Sequence, residues 1–60
     1  MKCIKLVAGV YEFLENGKMK YRIYKNRWSG WTLSVFSEKH NQFIDSRYFN
    51  TLKQAKSAIT

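Results

Sequence analysis

Between Lys18 and Trp28 the chain reads Lys-Met-Lys-Tyr-Arg-Ile-Tyr-Lys-Asn-Arg-Trp, five cations and three rings without a single acid. Cations suit phosphates, an arginine suits the paired acceptors of a guanine edge, and flat rings suit stacking on unpaired bases. Covalent and acid–base chemistry have far less to work with. Cys3 and His40 each stand alone, and the four acids, Glu12, Glu15, Glu38 and Asp45, are dispersed. Nucleophile, base and orienting group would have to come from different elements, with no strand-turn-helix motif to assemble them. Glu12 and Glu15 point to opposite faces of a strand and so make no acid/base pair. His40 sits between Lys39 and Asn41 with no ligand at metal-binding spacing, and one cysteine makes neither a zinc cluster nor a CxxC redox site. The expectation is a non-enzymatic chain with no catalytic residues, no metal and no cofactor.

What the cations and rings can do depends on the elements that display them. Asn16-Gly17, the favoured pair for a type I′ turn, lies between two alternating segments, Val10–Leu14 and Met19–Tyr24. A two-residue turn predicts the pairs Leu14–Met19, Glu12–Tyr21 and Val10–Ile23 on one mostly aliphatic face. Phe13 then faces Lys20, and Tyr11 faces Arg22, on the other. That second face gathers Tyr11, Phe13, Lys20, Arg22 and Tyr24, while Lys25, Arg27 and Trp28 fall in the following connection. A third strand is predicted from Trp31 to Phe36, with Trp31, Leu33 and Val35 toward the core after a Ser29-Gly30 turn. A fourth runs from Gln42 to Tyr48. A four-residue connection sets Val35 opposite Ile44 and Trp31 opposite Tyr48, leaving Phe36, Phe43, Asp45 and Arg47 outward, unless a bulge tucks one outer ring inward.

Thr51 followed by Gln54 is a capping box, and Leu52, Ala55 and Ile59 recur at helical spacing. Eight or nine helical residues are marginal alone, so the helix must dock its Leu52–Ile59 stripe on the aliphatic face, with Phe49 near the corner and Lys53 and Lys56 in water. The expected architecture is α+β: a three- to four-stranded antiparallel sheet with one C-terminal helix packed on one face and the other face bare. Residues 1–60 suffice for one small domain, whose thin core draws on two Trp, four Tyr and four Phe in place of a disulfide.

Eleven Lys and Arg against four acids give a formal charge of +7, a field that favours polyanions and also serves solubility. The same basic and aromatic residues have a plain structural use, with Lys and Arg stems covering rings and charge guarding a sheet edge. Near the N-terminus Lys5 interrupts the apolar stretch and the uncharged run Leu6–Tyr11 is far shorter than the about 20 residues of a membrane span. No signal peptide and no membrane partner are expected, and a cytoplasmic protein is.

The segments Trp28–Phe36 and Arg47–Ile59, with the pair Tyr48-Phe49, then Thr51, Ala55 and Ala58, resemble two groups of small sheet-plus-helix modules. These are the AP2-type DNA-binding domains and the arm-binding N-terminal domains of integrases. The resemblance covers about half the chain and implies binding of duplex DNA by the sheet face opposite the helix. Arg47 departs from it, standing where those modules often carry Gly. In style the chain is also similar to accessory proteins of phages and mobile elements, which bind nucleic acid or block a host protein. The expected interface is Tyr11, Phe13, Lys20, Arg22, Tyr24, Lys25, Arg27, Trp28 and Arg47 on duplex DNA. The alternatives are an inhibitor or adaptor acting on an acidic protein surface, and self-association through an exposed strand edge.

Overall fold

Four tight connections fold the chain back on itself, and each contains a residue whose backbone enters the left-handed region. Gly9 (φ 84°) turns the first, Asn16 (55°) and Gly17 (79°) the second, Ser29 (67°) the third and Asn41 (52°) the fourth. Two successive positive φ values at Asn16-Gly17 are what a type I′ hairpin requires. The computed structural model describes residues 1–59; Thr60, the last residue of the expected domain, lies outside the described residues. The connections join β1 (Lys2–Val7), β2 (Val10–Glu15), β3 (Lys18–Lys25), β4 (Trp31–Ser37) and β5 (Gln42–Phe49), followed by α1 (Leu52–Ser57). The strands lie in sequence order in one antiparallel sheet.

The α+β frame is as expected, with five strands in place of three or four and a helix of six residues in place of eight or nine. β1 is hard to read because the ladder slips between Lys5 and Val7, so Leu6-Val7 break the alternation that marks a strand. The cap at the other end forms: Thr51 Oγ1 accepts from the Gln54 amide at 3.1 Å, and Gln54 Oε1 accepts from the Asn50 amide at 3.2 Å. Ile23 on β3 and Ala55 on α1 are wholly buried and meet Phe13 and Leu33, with Tyr11, Tyr21, Trp31, Phe49, Leu52 and Ile59 packed around them. No helix among the described residues is long and apolar enough to cross a membrane.

Two extra residues in the ladders decide which side chains share a face. Beyond the second turn Leu14 pairs with Met19 as expected, but Phe13 pairs with Tyr21, leaving Lys20 without a cross-strand partner. Glu12 therefore meets Arg22, Tyr11 meets Ile23 and Val10 meets Tyr24. One inserted residue reverses a whole strand, because side chains alternate with a period of two. Tyr11 and Phe13, expected on the bare face, point under the helix, and Glu12 points away from it. The exchange is favourable: a large apolar side chain contributes about 1.5–3 kcal/mol when buried, whereas Glu12 in the core would be an unpaired buried charge.

The second extra residue is Ser46. Leu33 pairs with Arg47 and Ser34 with Asp45, so Trp31 lies opposite Phe49 and not Tyr48. Arg47, expected outward, turns to the helix side, where its guanidinium lies 5.1 Å from the Phe49 ring centre. Tyr48, expected inward, pairs with Thr32 on the bare face. Seating Phe49 against the helix is what the bulge achieves. The Val35–Ile44 pairing and the outward Phe36, Phe43 and Asp45 stand as expected, but Val35, expected toward the core, and Ile44 opposite it are exposed, outside the cluster that the six-residue helix covers.

Candidate nucleic-acid interface

The helix-free face carries a connected set of polar contacts. Arg22 donates to Glu12 Oε2 at 2.8 Å and lies 4.2 Å from the centre of the Phe43 ring, which Phe36 meets edge-on at 5.1 Å. Its Nε is buried without a hydrogen-bond partner. Alongside, the Tyr24 hydroxyl donates to both Asp45 carboxylate oxygens, at 2.9 and 3.0 Å, and Ser34 Oγ donates to Oδ1 at 2.7 Å. Thr32 and Ser34 are only 1% exposed beneath this network. Burial raises the Tyr24 hydroxyl above its ordinary pKa, and the hydrogen bond to Asp45 and that carboxylate's charge push the same way. On this face Lys2 and Arg22 balance Glu12 and Asp45, so it is not the cationic surface expected of it.

The surplus charge lies on the other side, around the helix. Lys5 stands opposite Tyr11, Lys25 opposite Trp31 and Arg47 opposite Leu33, and α1 adds Lys53 and Lys56. The one acid of matching strand alternation, Glu15, is far off at the second hairpin opposite Lys18. Lys56 is half-buried, its Nζ 4.9 Å from the Tyr11 ring centre, so it does not face water as Lys53 does. Long basic side chains suit this position, since their stems cover aromatic surface while their heads reach solvent.

The two sides meet at the connection between β3 and β4. Asn26 braces it: its Oδ1 accepts from the amides of Trp28 (2.9 Å) and Gly30 (3.0 Å), and its own amide donates to the Gly30 carbonyl at 2.9 Å. Gly30 has no room for a side chain, because a Cβ there would lie 2.9 Å from the Phe49 carbonyl oxygen. The backbone is thus held while the Trp28 side chain stands in water, 76% exposed. Trp28, Arg27, Lys25, Tyr24, Asp45 and Tyr48 are among the residues that line a groove of about 320 Å³. Tyr48 is 67% exposed, and the Arg27 guanidinium lies 5.6 Å from the Trp28 ring.

Of the nine expected interface residues, Tyr24, Lys25, Arg27 and Trp28 come together at this groove. Arg47 lies on the helix side and Arg22 is engaged by Glu12. Lys20 is exposed at its bulge, while Tyr11 and Phe13 belong to the packed helix side. Tyr48 and Lys5 are additions that strand alternation alone misassigned or passed over. The run Arg47-Tyr48-Phe49 held the clue to Tyr48, since two adjacent rings on a strand cannot both face inward. Among the described residues no group of three potential metal ligands assembles. No family model matches the chain, and no curated protein and no solved structure matches it.

Proposed function

We propose that this chain is a non-enzymatic nucleic-acid-binding protein that meets phosphates with the acid-poor helix side and the adjoining connection between β3 and β4. The observation that carries the reading is the segregation of charge: by strand register Lys5, Lys25 and Arg47 share the helix side of the sheet, Lys53 stands on the helix, and Arg27 lies in the adjoining connection. Neutralising phosphates with such side chains releases counterions and supplies most of the affinity. A duplex docked on the bare face, as the resemblance implied, would meet no net charge there, because Arg22 is committed to Glu12.

The test is a mobility-shift titration of the full chain and of the K25A/R47A/K53A variant, whose three side chains are exposed. Affinity is expected to fall steeply with added salt, and the variant's log–log salt slope to shrink by about one per lost phosphate contact. Binding that ignores salt, or no binding by the native chain, refutes the reading. Exposed Trp28 and Tyr48 favour one competitor, an inhibitor or adaptor on an acidic protein surface, because aromatic and Arg anchors also build protein interfaces. Partners retained from lysate after nuclease treatment would favour it over nucleic acid.

A further inference from the structure

We propose that the groove between Trp28 and Tyr48 is the seat of an unpaired, amino-bearing nucleobase, with the attached phosphate on Arg27 and Lys25. The inference rests on the nucleic-acid reading above and specifies its substrate as single-stranded. A volume of about 320 Å³ is at the lower end of small-ligand sites, which run from about 300 to 1,000 Å³, so the groove admits a flat group and not a folded element. Its two exposed rings offer π-faces of the kind on which every base stacks. The anchoring of Trp28 matters as much as its exposure. The Trp28 amide and the Gly30 amide both donate to Asn26 Oδ1 and hold the backbone on either side of the turn, so presenting the ring requires little further ordering of the loop.

Asp45 orients the occupant. Asp45 lines the groove and its carboxylate repels a phosphate, which leaves the phosphate to Arg27 and Lys25 in the same lining. An ionised carboxylate only accepts hydrogen bonds, and with Tyr24 and Ser34 already bound to it, a remaining lone pair suits an exocyclic amine such as cytosine N4. Thymine and uracil present a carbonyl at the same place. A paired base within a duplex presents no free face to either ring, so a duplex forfeits the stacking and keeps only the phosphate contacts.

The proposal is tested by titrating the full chain with dodecamers of dC, rC and dT and with a duplex of equal phosphate count, following tryptophan fluorescence and anisotropy. Either cytosine strand is expected to bind more tightly than dT and than the duplex, and the tighter of the two identifies the natural sugar. Trp28→Ala should weaken the cytosine strands about tenfold with duplex affinity unchanged, the loss of one stacked base. Tyr48→Leu, which keeps an apolar side chain on β5, should act the same way and guards against a folding defect in the first variant. If both variants bind cytosine strands within twofold of the native chain while K25A/R47A/K53A weakens all probes, the groove proposal is overturned and the phosphate reading survives. Equal affinity for dC and dT overturns the role of Asp45. No binding of any probe overturns both readings.

Discussion

Arg22 looks in the sequence like a surface cation, but the tertiary structure makes it a support of the sheet, and removing it measures the difference. Its partner Glu12 retains only 11% side-chain exposure and Arg22 35%, with Phe43 against the guanidinium. Removing one member of a fully buried pair costs about 3–5 kcal/mol, because the other is left as an uncompensated charge. Here about a third of the Arg22 side chain is exposed, which discounts that figure, and Arg22→Ala is expected to cost about 2 kcal/mol. A chain of this length has a total stability of roughly 3–9 kcal/mol, so the loss is a large fraction of it. With a urea slope near 1 kcal/mol per molar, as suits a small domain, the midpoint falls by about 2 M. Replacing both partners with apolar residues of similar size, E12L/R22M, is expected to restore stability to within about 1 kcal/mol of the native chain. The assay is equilibrium urea unfolding followed by circular dichroism. An Arg22→Ala midpoint within about 0.3 M of the native value would refute the reasoning and return Arg22 to the free surface.

Three further outcomes follow from the same fold. Deleting Lys20 removes the bulge and leaves Leu14–Met19 and Phe13–Tyr21 consecutive in a regular ladder, with Tyr11 and Phe13 still under the helix, so the deletion variant should keep cooperative thermal unfolding, and Lys20→Ala should stay within about 0.5 kcal/mol of the native chain; loss of cooperativity on deletion would refute the register. Gly30→Ala, whose Cβ would lie 2.9 Å from the Phe49 carbonyl oxygen, should lower stability by about 1–3 kcal/mol in the same unfolding assay; a neutral result would show that the connection yields freely. Tyr24 has a folded pKa raised above its unfolded value of 10.0, so the folded state holds the proton more tightly. Its contribution is complete below pH 10 and is lost as pH rises through the folded value. Tyr24→Phe should therefore flatten the fall in stability above pH 10, read from urea midpoints across an alkaline series, and an unchanged slope would refute the assignment.

The local chemistry of the chain is legible from its residue types. Asn16-Gly17 specifies a hairpin, because both positions adopt positive φ at little cost, and Thr51 with Gln54 marks the helix start by supplying partners for orphan amides. Alternation within a strand is equally local, which is why Trp31, Leu33 and Ile23 fall on the core side, and Tyr24, Phe36 and Phe43 on the other, as read. The relation of one strand's faces to its neighbour's is a different kind of fact. It depends on whether an extra residue enters each ladder, and Lys20 and Ser46 carry no side-chain signal that they will be the ones left unpaired. The packed core makes that choice: with a helix to cover, the sheet turns toward it the registers that bury Tyr11, Phe13 and Phe49. Glu12 then has no place but the opposite face, where it captures Arg22, and Tyr48 is carried out beside Trp28 to line the groove. Turns, cap and strand alternation belong to the sequence alone, because each is settled by contacts a few residues apart. The charge map and the groove belong to the tertiary structure, because each depends on a one-residue slip that only long-range packing can select.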